Sequence, residues 1–252
     1  MKVAFITGGS SGIGKEVVSE LIANNICVGI LDINSPFADE SEKNLFSEKL
    51  LFTKGDVSKI TDIKNAIQRT YDQFGEIDIV ITNAGIHLSH SIFDIREADF
   101  QKVMDINLKG TIFTIKESLP YFNKMGGKII LLGSDQCFIG KPNNLAYGAS
   151  KGAIGQITKS LSLELAPLNI SVNAVCPGTV DTPLTRAALQ RWADREFNGD
   201  FDRALEKENA EFPVGRIGTA SEVADMISFI ALKSSSFTTG SLFTIDGGYT
   251  AK

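Results

Sequence analysis

The sequence predicts an α/β fold: one parallel β-sheet with helices on both faces. Three observations carry that expectation. Short continuous apolar runs alternate with helical apolar spacing from end to end, an order that puts helices on both sides of a parallel sheet. The first apolar run meets a glycine-rich turn at once, and a helical pattern follows. No internal repeat, low-complexity tract or linker breaks the alternation, so residues 1–252 are expected to form a single domain.

Residues 3–7, VAFIT, are branched and apolar, as a buried parallel strand should be. The turn Thr7-Gly8-Gly9-Ser10-Ser11-Gly12-Ile13-Gly14 follows, then a helical pattern through Ile22. Strand, glycine turn and helix start come in the order a dinucleotide phosphate site needs. The glycines let backbone approach a pyrophosphate, and the helix start offers free N–H groups to the anion. The spacing is Gly-x-x-x-Gly-x-Gly rather than Gly-x-Gly-x-x-Gly. A second strand over residues 27–31 ends at Asp32, where an acid could meet the hydroxyls of an adenosine ribose. Residues 34–48 are polar, broken by Pro36, and read as a loop with room for one short helix.

Residues 50–53 form a third strand, followed by Gly55-Asp56-Val57. Asp56 is a candidate for the adenine end of a cofactor or a cap for the helix over 60–74. The fourth strand, 77–81, runs into Thr82-Asn83-Ala84-Gly85. Asn83 can tie neighbouring backbone, while Ala84 and Gly85 leave space above a cofactor. Residues 97–124 read as one long helix carrying Asn107, a polar residue in an apolar pattern whose amide needs partners if buried. The fifth strand, 128–132, leads to Ser134. A helix over 146–166 carries Tyr147 and Lys151, which share one face at a separation of four. A free phenol titrates near pH 10, and a nearby cation lowers that value. Tyr147 is thus expected to exchange protons near neutrality. A Tyr-x-x-x-Lys spacing by itself is more often a surface pair; its context is what lends it weight.

The sixth strand, 170–175, ends in Cys176-Pro177-Gly178-Thr179-Val180-Asp181-Thr182-Pro183, a turn over the sheet edge. Residues 184–212 are dense in charge with scattered apolar positions, and they break the strand–helix order. They are expected to form a mobile substrate lid, with Trp192 as its anchor. A helix over 223–232 and a last strand over 242–245 close the chain before Asp246-Gly247-Gly248. The pocket is expected to mix Ile86, Leu88, Phe138 and Leu184 with His87, Gln136 and Asn144.

The net charge of −5 argues against a nucleic-acid partner. Two histidines, His87 and His90, read as loop residues; their scarcity removes a Ser–His–Asp hydrolase and the usual His/Cys zinc site. Cys27, Cys137 and Cys176 form no close pair in the sequence and suit a reducing cytosol. The chain enters a strand almost immediately, so no signal peptide is expected, and no apolar run reaches membrane-spanning length. A cytoplasmic location follows as an expectation.

Taken together, these residues resemble the compact branch of the short-chain dehydrogenase/reductase family over essentially the whole chain. The match rests on Thr7–Gly14, Asp32, Asp56-Val57, Asn83-Ala84-Gly85, Asn107, Ser134, Tyr147-x-x-x-Lys151, Pro177-Gly178 and Asp246-Gly247-Gly248. The resemblance implies a Rossmann-type doubly wound sheet of seven strands, a nicotinamide cofactor, no metal and a homotetramer; Asp32 makes NAD the expected cofactor. It implies a catalytic set of Asn107, Ser134, Tyr147 and Lys151. Tyr147 would exchange a proton with the substrate oxygen and Ser134 would hydrogen-bond it. Lys151 would bind the nicotinamide ribose and lower the Tyr147 pKa, and Asn107 would hold a water linking Lys151 to solvent. Cofactor contacts would come from Gly8, Ser10, Ser11, Gly12, Ile13 and Gly14, then Asp32, Ile33, Asp56 and Val57. Asn83, Ala84, Gly85, Tyr147, Lys151, Pro177, Gly178, Val180 and Thr182 would complete them. Substrate contacts would come from Ser134, Gln136, Asn144, Tyr147 and Leu184.

The expected activity is hydride transfer between NAD and a secondary alcohol or ketone, with no membrane or nucleic-acid partner. An NADPH-dependent 3-oxoacyl reductase is the alternative within the class; Asp32, and the lack of Lys or Arg at 9–11 and at 33, speak against it. A non-catalytic nucleotide-sensing regulator is the alternative outside it, and retention of Asn107, Ser134, Tyr147 and Lys151 speaks against that.

Overall fold

The computed structural model describes residues 1–36 and 48–252. The loop with one short helix expected over 34–48 therefore lies almost wholly outside the described residues. Seven strands form one parallel sheet: β1 (Val3–Thr7), β2 (Cys27–Asp32), β3 (Leu50–Lys54), β4 (Ile79–Thr82), β5 (Gly127–Leu132), β6 (Ile170–Pro177) and β9 (Leu242–Ile245). Their order is β3-β2-β1-β4-β5-β6-β9. A separate pair, β7 (Val180–Asp181) with β8 (Gly218–Thr219), was not foreseen; two residues per strand leave no periodic pattern to read.

The strands are apolar on both faces because helices cover both. Along β1, Val3 and Phe5 enter one core while Ala4 and Ile6 enter the other, as side chains that alternate across a sheet must. The first core is closed by α2 (Ile60–Phe74), α4 (Gly110–Ser118) and α5 (Leu145–Leu165) through Ile63, Ile67, Ile115 and Ile154. The second is closed by α1 (Gly12–Ala23) and α8 (Ala220–Leu232) through Val17, Leu21, Val223 and Ile227. Thr219 starts α8 with a reciprocal capping box to Glu222, which satisfies donors that the first turn cannot satisfy itself.

The long helix expected over 97–124 is corrected. It comprises α3 (Glu97–Val103), a π-helical turn (Met104–Lys109), α4 and a 3-10 turn (Leu119–Tyr121). Pro120 fits the first turn of that 3-10 segment, and Phe122 is already extended. Strand β6 runs two residues beyond its expected end, so Cys176 and Pro177 pair with β9 instead of turning. Residues 184–212, expected as a mobile lid, form α6 (Pro183–Glu196) and α7 (Phe201–Ala210), with Leu189, Ala193, Ala204 and Phe212 buried. Thr182 and Asp200 cap these two helices.

Candidate active site

The strand order reverses between β1 and β4, and α/β sheets of this kind bind ligands at the carboxyl ends of such strands. Here the crevice is braced by side-chain bonds. Asn83 Nδ2 donates to the Thr7 and Gly8 carbonyls at 3.2 and 2.6 Å, and Ala84 N–H donates to Thr7 Oγ1 at 3.2 Å. Gly8 takes φ +70, which a side chain would strain. A Cβ on Gly14 would lie 2.0 Å from the Gly8 carbonyl oxygen, so only glycine lets α1 start this close to the turn. Ser11 precedes α1 in extended backbone, and its side chain caps none of the first-turn N–H groups.

A cavity of about 810 Å³ runs along this edge. Its walls include Asp32 at one end and Tyr147 at the other, with Gly12, Val57, Gly85 and Gly178 between them. Of the residues expected to touch cofactor or substrate, all line it except Ser10 and Gly14, which shape the turn behind it. Leu88 and Phe138, expected in the pocket, do not line it; the Phe138 side chain is half exposed instead. His87, read as a rim residue, is partly buried in the wall.

Asp32 is held by two backbone donors, Ser10 N–H and Asn34 N–H, each at 3.0 Å. Each carboxylate oxygen retains capacity for another donor. Asp56 lines the cavity; it does not cap α2, whose N-cap is Lys59, and its Oδ1 instead accepts from Ser58 N–H at 2.9 Å in the turn before the helix.

The other end brings together three of the four residues expected to be catalytic. Ser134 follows β5, while Tyr147 and Lys151 lie one turn apart on α5. Lys151 is 5 % exposed; its Nζ donates to the Leu132 carbonyl at 2.7 Å and lies 5.6 Å from the centre of the Tyr147 ring. Burial lowers the Lys151 pKa to about 8. The expected lowering of Tyr147 is corrected. Burial pushes its phenol well above the ordinary value, Asp135 adds to that rise, and a hydrogen bond with Ser134 opposes it. Ser134 itself donates to Asp135 Oδ1 at 2.6 Å and accepts from Gln136 N–H at 3.2 Å.

Asn107 sits on the π-helical turn, 2 % exposed, and does not line the cavity. Its Oδ1 accepts from Ile86 N–H at 2.9 Å, and its Nδ2 donates to the Ile86 carbonyl at 3.0 Å and to Ser150 Oγ at 3.2 Å. Asn107 therefore ties the loop after β4 to α5.

His87 was expected in the pocket, but its contact with Tyr147 and several further neighbours escaped sequence reasoning. His87 packs edge-on against Tyr147, with ring centres 4.9 Å apart, and hydrogen-bonds Asn144 Oδ1 through Nε2. Burial lowers its pKa. Asp135 is almost fully buried and paired with Lys141; an acid directly after a strand-end serine was the available signal. Arg191 and Trp192 from α6 and Glu208 from α7 also line the cavity. Cys137 and Cys176, distant in sequence, both place their sulfurs against Gly133, and Cys137 Sγ donates to the Lys151 carbonyl at 3.0 Å. The neighbouring Cys176 lowers the Cys137 pKa to about 7, and the same interaction, with burial, raises that of Cys176. Among the described residues no cluster of His, Cys, Asp or Glu could hold a metal ion.

A family profile described as "Enoyl-(Acyl carrier protein) reductase" matches residues 8–250. The 2-(R)-hydroxypropyl-CoM dehydrogenase of Xanthobacter autotrophicus is 33 % identical over 257 residues, 99 % of each chain. A short-chain dehydrogenase family protein from Francisella tularensis subsp. tularensis SCHU S4 has a solved structure with 43 % identity, a TM-score of 0.91 and full coverage of both chains. A structure described as "ElxO with NADP Bound" has 32 % identity and a TM-score of 0.85, covering 100 % of this chain and 99 % of that one. The sheet, the crevice and its lining define a nucleotide-dependent oxidoreductase fold. The chain belongs to the short-chain dehydrogenase/reductase family, and it acts on an alcohol or ketone. The cavity fits a dinucleotide: a carboxylate stands at one end, uncapped helix-start N–H groups lie along it, and a phenol–ammonium pair stands at the other end.

Proposed function

We propose that this protein is a single-domain, NAD-dependent dehydrogenase/reductase of a secondary alcohol or ketone. The observation that carries the reading is the convergence of Ser134, Tyr147 and Lys151 on one end of a cavity whose other end holds Asp32. In this reading Tyr147 moves a proton at its phenol oxygen to or from the substrate oxygen, and Ser134 fixes that oxygen beside it. Lys151 binds the ribose next to the nicotinamide, and Asn107 holds the loop after β4 and a water on the path from Lys151 to solvent. The nicotinamide, when bound, supplies the hydride chemistry. Gln136, Asn144 and Leu184 contact substrate, and α6 with α7 form its cover.

The preference for NAD over NADP is supported by charge. Asp32 is oriented by Ser10 and Asn34 and can accept from both ribose hydroxyls. A 2′-phosphate would meet it as a like charge, with no Lys or Arg at 9–11 or 33 to neutralise it. A homotetramer and a cytoplasmic location belong to the same proposal. The test is a panel of secondary alcohols assayed with NAD⁺ and with NADP⁺, followed by nicotinamide absorbance. Turnover with NAD⁺ supports the reading. Turnover confined to NADPH with 3-oxoacyl thioesters would replace it, and nucleotide binding without turnover across the panel would favour a sensor.

A further inference from the structure

Helix α6 brings two guanidinium groups to the cavity wall, those of Arg191 and Arg195. Four residues apart, they share a face of the helix, where like charges repel. Arg195 offsets this with Glu196, 3.1 Å away. Arg191 has no such partner among the described residues. Its hydrogen bond runs from Nη2 to the His87 carbonyl at 3.4 Å, a long contact with a neutral acceptor. Asp194, the acid three residues on, accepts from Gln190 Nε2 instead. Glu208 lines the same cavity, but it is held by Thr179 Oγ1 and stands beyond ion-pair distance of Arg191. Elsewhere this chain pairs its arginines: Arg96, Arg186 and Arg216 each hold a carboxylate at 2.7 Å or less.

The unpaired guanidinium stands close to the chemistry. It reaches the backbone of His87, whose ring packs edge-on against Tyr147 with 4.9 Å between centres. Lys141, the other cation acting on His87, is taken by Asp135 at 2.8 Å.

We propose that Arg191 binds an anionic group of the substrate, so that the substrate is a secondary alcohol or ketone carrying a carboxylate or sulfonate. The reacting carbon lies at Tyr147, and the anion lies a few bonds away, past His87, at Arg191. A guanidinium has five N–H donors in a planar fork and can give two of them to one such group. A charged acceptor also outcompetes the neutral His87 carbonyl. On a chain of net charge −5, Arg191 and Arg195 supply local attraction for an anion that the molecule as a whole repels. Because Arg191 belongs to α6, the bound anion ties that helix to the far wall of the cavity. The inference rests on the reading of the Tyr147 end as the substrate end, and it names the class of that substrate.

The test is a titration of the protein in the presence of NAD⁺, followed by the fluorescence of Trp192, the single tryptophan and a neighbour of Arg191 in the wall. The probes are butyrate, propanesulfonate and butyramide, alike in size and different in charge. At least one anion should give a saturable change at a concentration at least about tenfold below that needed for the amide. Added salt should weaken its binding. R191Q should abolish the tenfold difference, and R191K should restore part of it, since an ammonium keeps the charge without the fork. Equal responses to anions and amide, no saturable response to either anion, or a difference that survives R191Q overturns the proposal. Where a hydroxy acid is turned over, R191Q should raise its KM more than it lowers kcat. The titration needs no turnover, so it stands apart from the dehydrogenase reading, which fails separately if no alcohol of the panel is oxidised.

Discussion

Tyr147 and Lys151 are perturbed in opposite senses by the same cause, since burial penalises phenolate and ammonium alike. Tyr147→Phe is expected to lower kcat by at least about 10²-fold while nucleotide affinity, measured by titration, stays near the unaltered value. Near-normal turnover in that variant would remove Tyr147 from the chemistry. Asp32→Ala should erode a preference for NAD of at least about 10²-fold in kcat/KM, mainly by weakening use of NAD. Equal kcat/KM with both cofactors in the unaltered enzyme would defeat the ribose assignment. Lys151 also makes stability depend on pH. A drop from 10.5 to about 8 corresponds to roughly 3 kcal/mol against folding, borne in full below pH 8 where both states hold the proton. Between pH 8 and 10.5 the folded chain releases its proton first, so stability rises with pH. Tyr147 acts oppositely, and only above its ordinary value near 10. In denaturant melts, the advantage of Lys151→Met over the unaltered protein should therefore be constant below pH 8 and shrink above it. An advantage that does not change across that range would contradict the assignment. Single residues with a motif around them were legible in the sequence: Asp32, Asn83 and the Tyr147–Lys151 pair. Orientation was not. Nothing in the order of letters says that Phe138 turns outward or that the Ser134 proton points to Asp135.

At the scale of elements, the strands were read to within two residues and the helices with a strong period to within three, because buried parallel strands leave unbroken apolar runs. The breaks inside residues 97–124 were not legible. A π-helical turn adds one residue to the local register and disturbs helical spacing too little to be seen, yet it carries Asn107 to the Ile86 loop. Pairing of β7 with β8 likewise depends on tertiary placement. Helices α6 and α7 pack on each other; Trp192 meets Phe197 edge-on at 5.1 Å at the end of α6, and Arg203 of α7 lies over the Phe197 ring at 5.3 Å. Their anchorage includes Thr179 Oγ1 donating to Glu208 at 2.5 Å. As a cover over the cavity, residues 184–212 should gain hydrogen-exchange protection when cofactor and alcohol are both added. Equal protection with and without them would make the pair a fixed wall.

For the whole molecule, the proposed tetramer is supported by apolar side chains left outside both cores. Phe100 on α3, Ile112 on α4 and Leu163 on α5 remain exposed, Leu163 at 79 %. A helix with apolar residues on more than one face calls for a second contact. Light scattering at micromolar concentration should report about four times 27.2 kDa; a 27.2 kDa species alone would count against assembly. The sheet is also finished in an order unlike its layout. Strand β1 lies near its centre and is made first, while β9 is made last and is the strand that pairs with β6. Gly178 N–H donates to the Ile245 carbonyl at 3.2 Å, so the turn at the cavity edge rests on β9, the edge strand. During synthesis, at about 5–20 residues per second, the nucleotide crevice between β1 and β4 can close well before that support exists. A nascent chain arrested after α8 should accordingly retain the crevice framework but lack the finished cavity wall until β9 docks on β6.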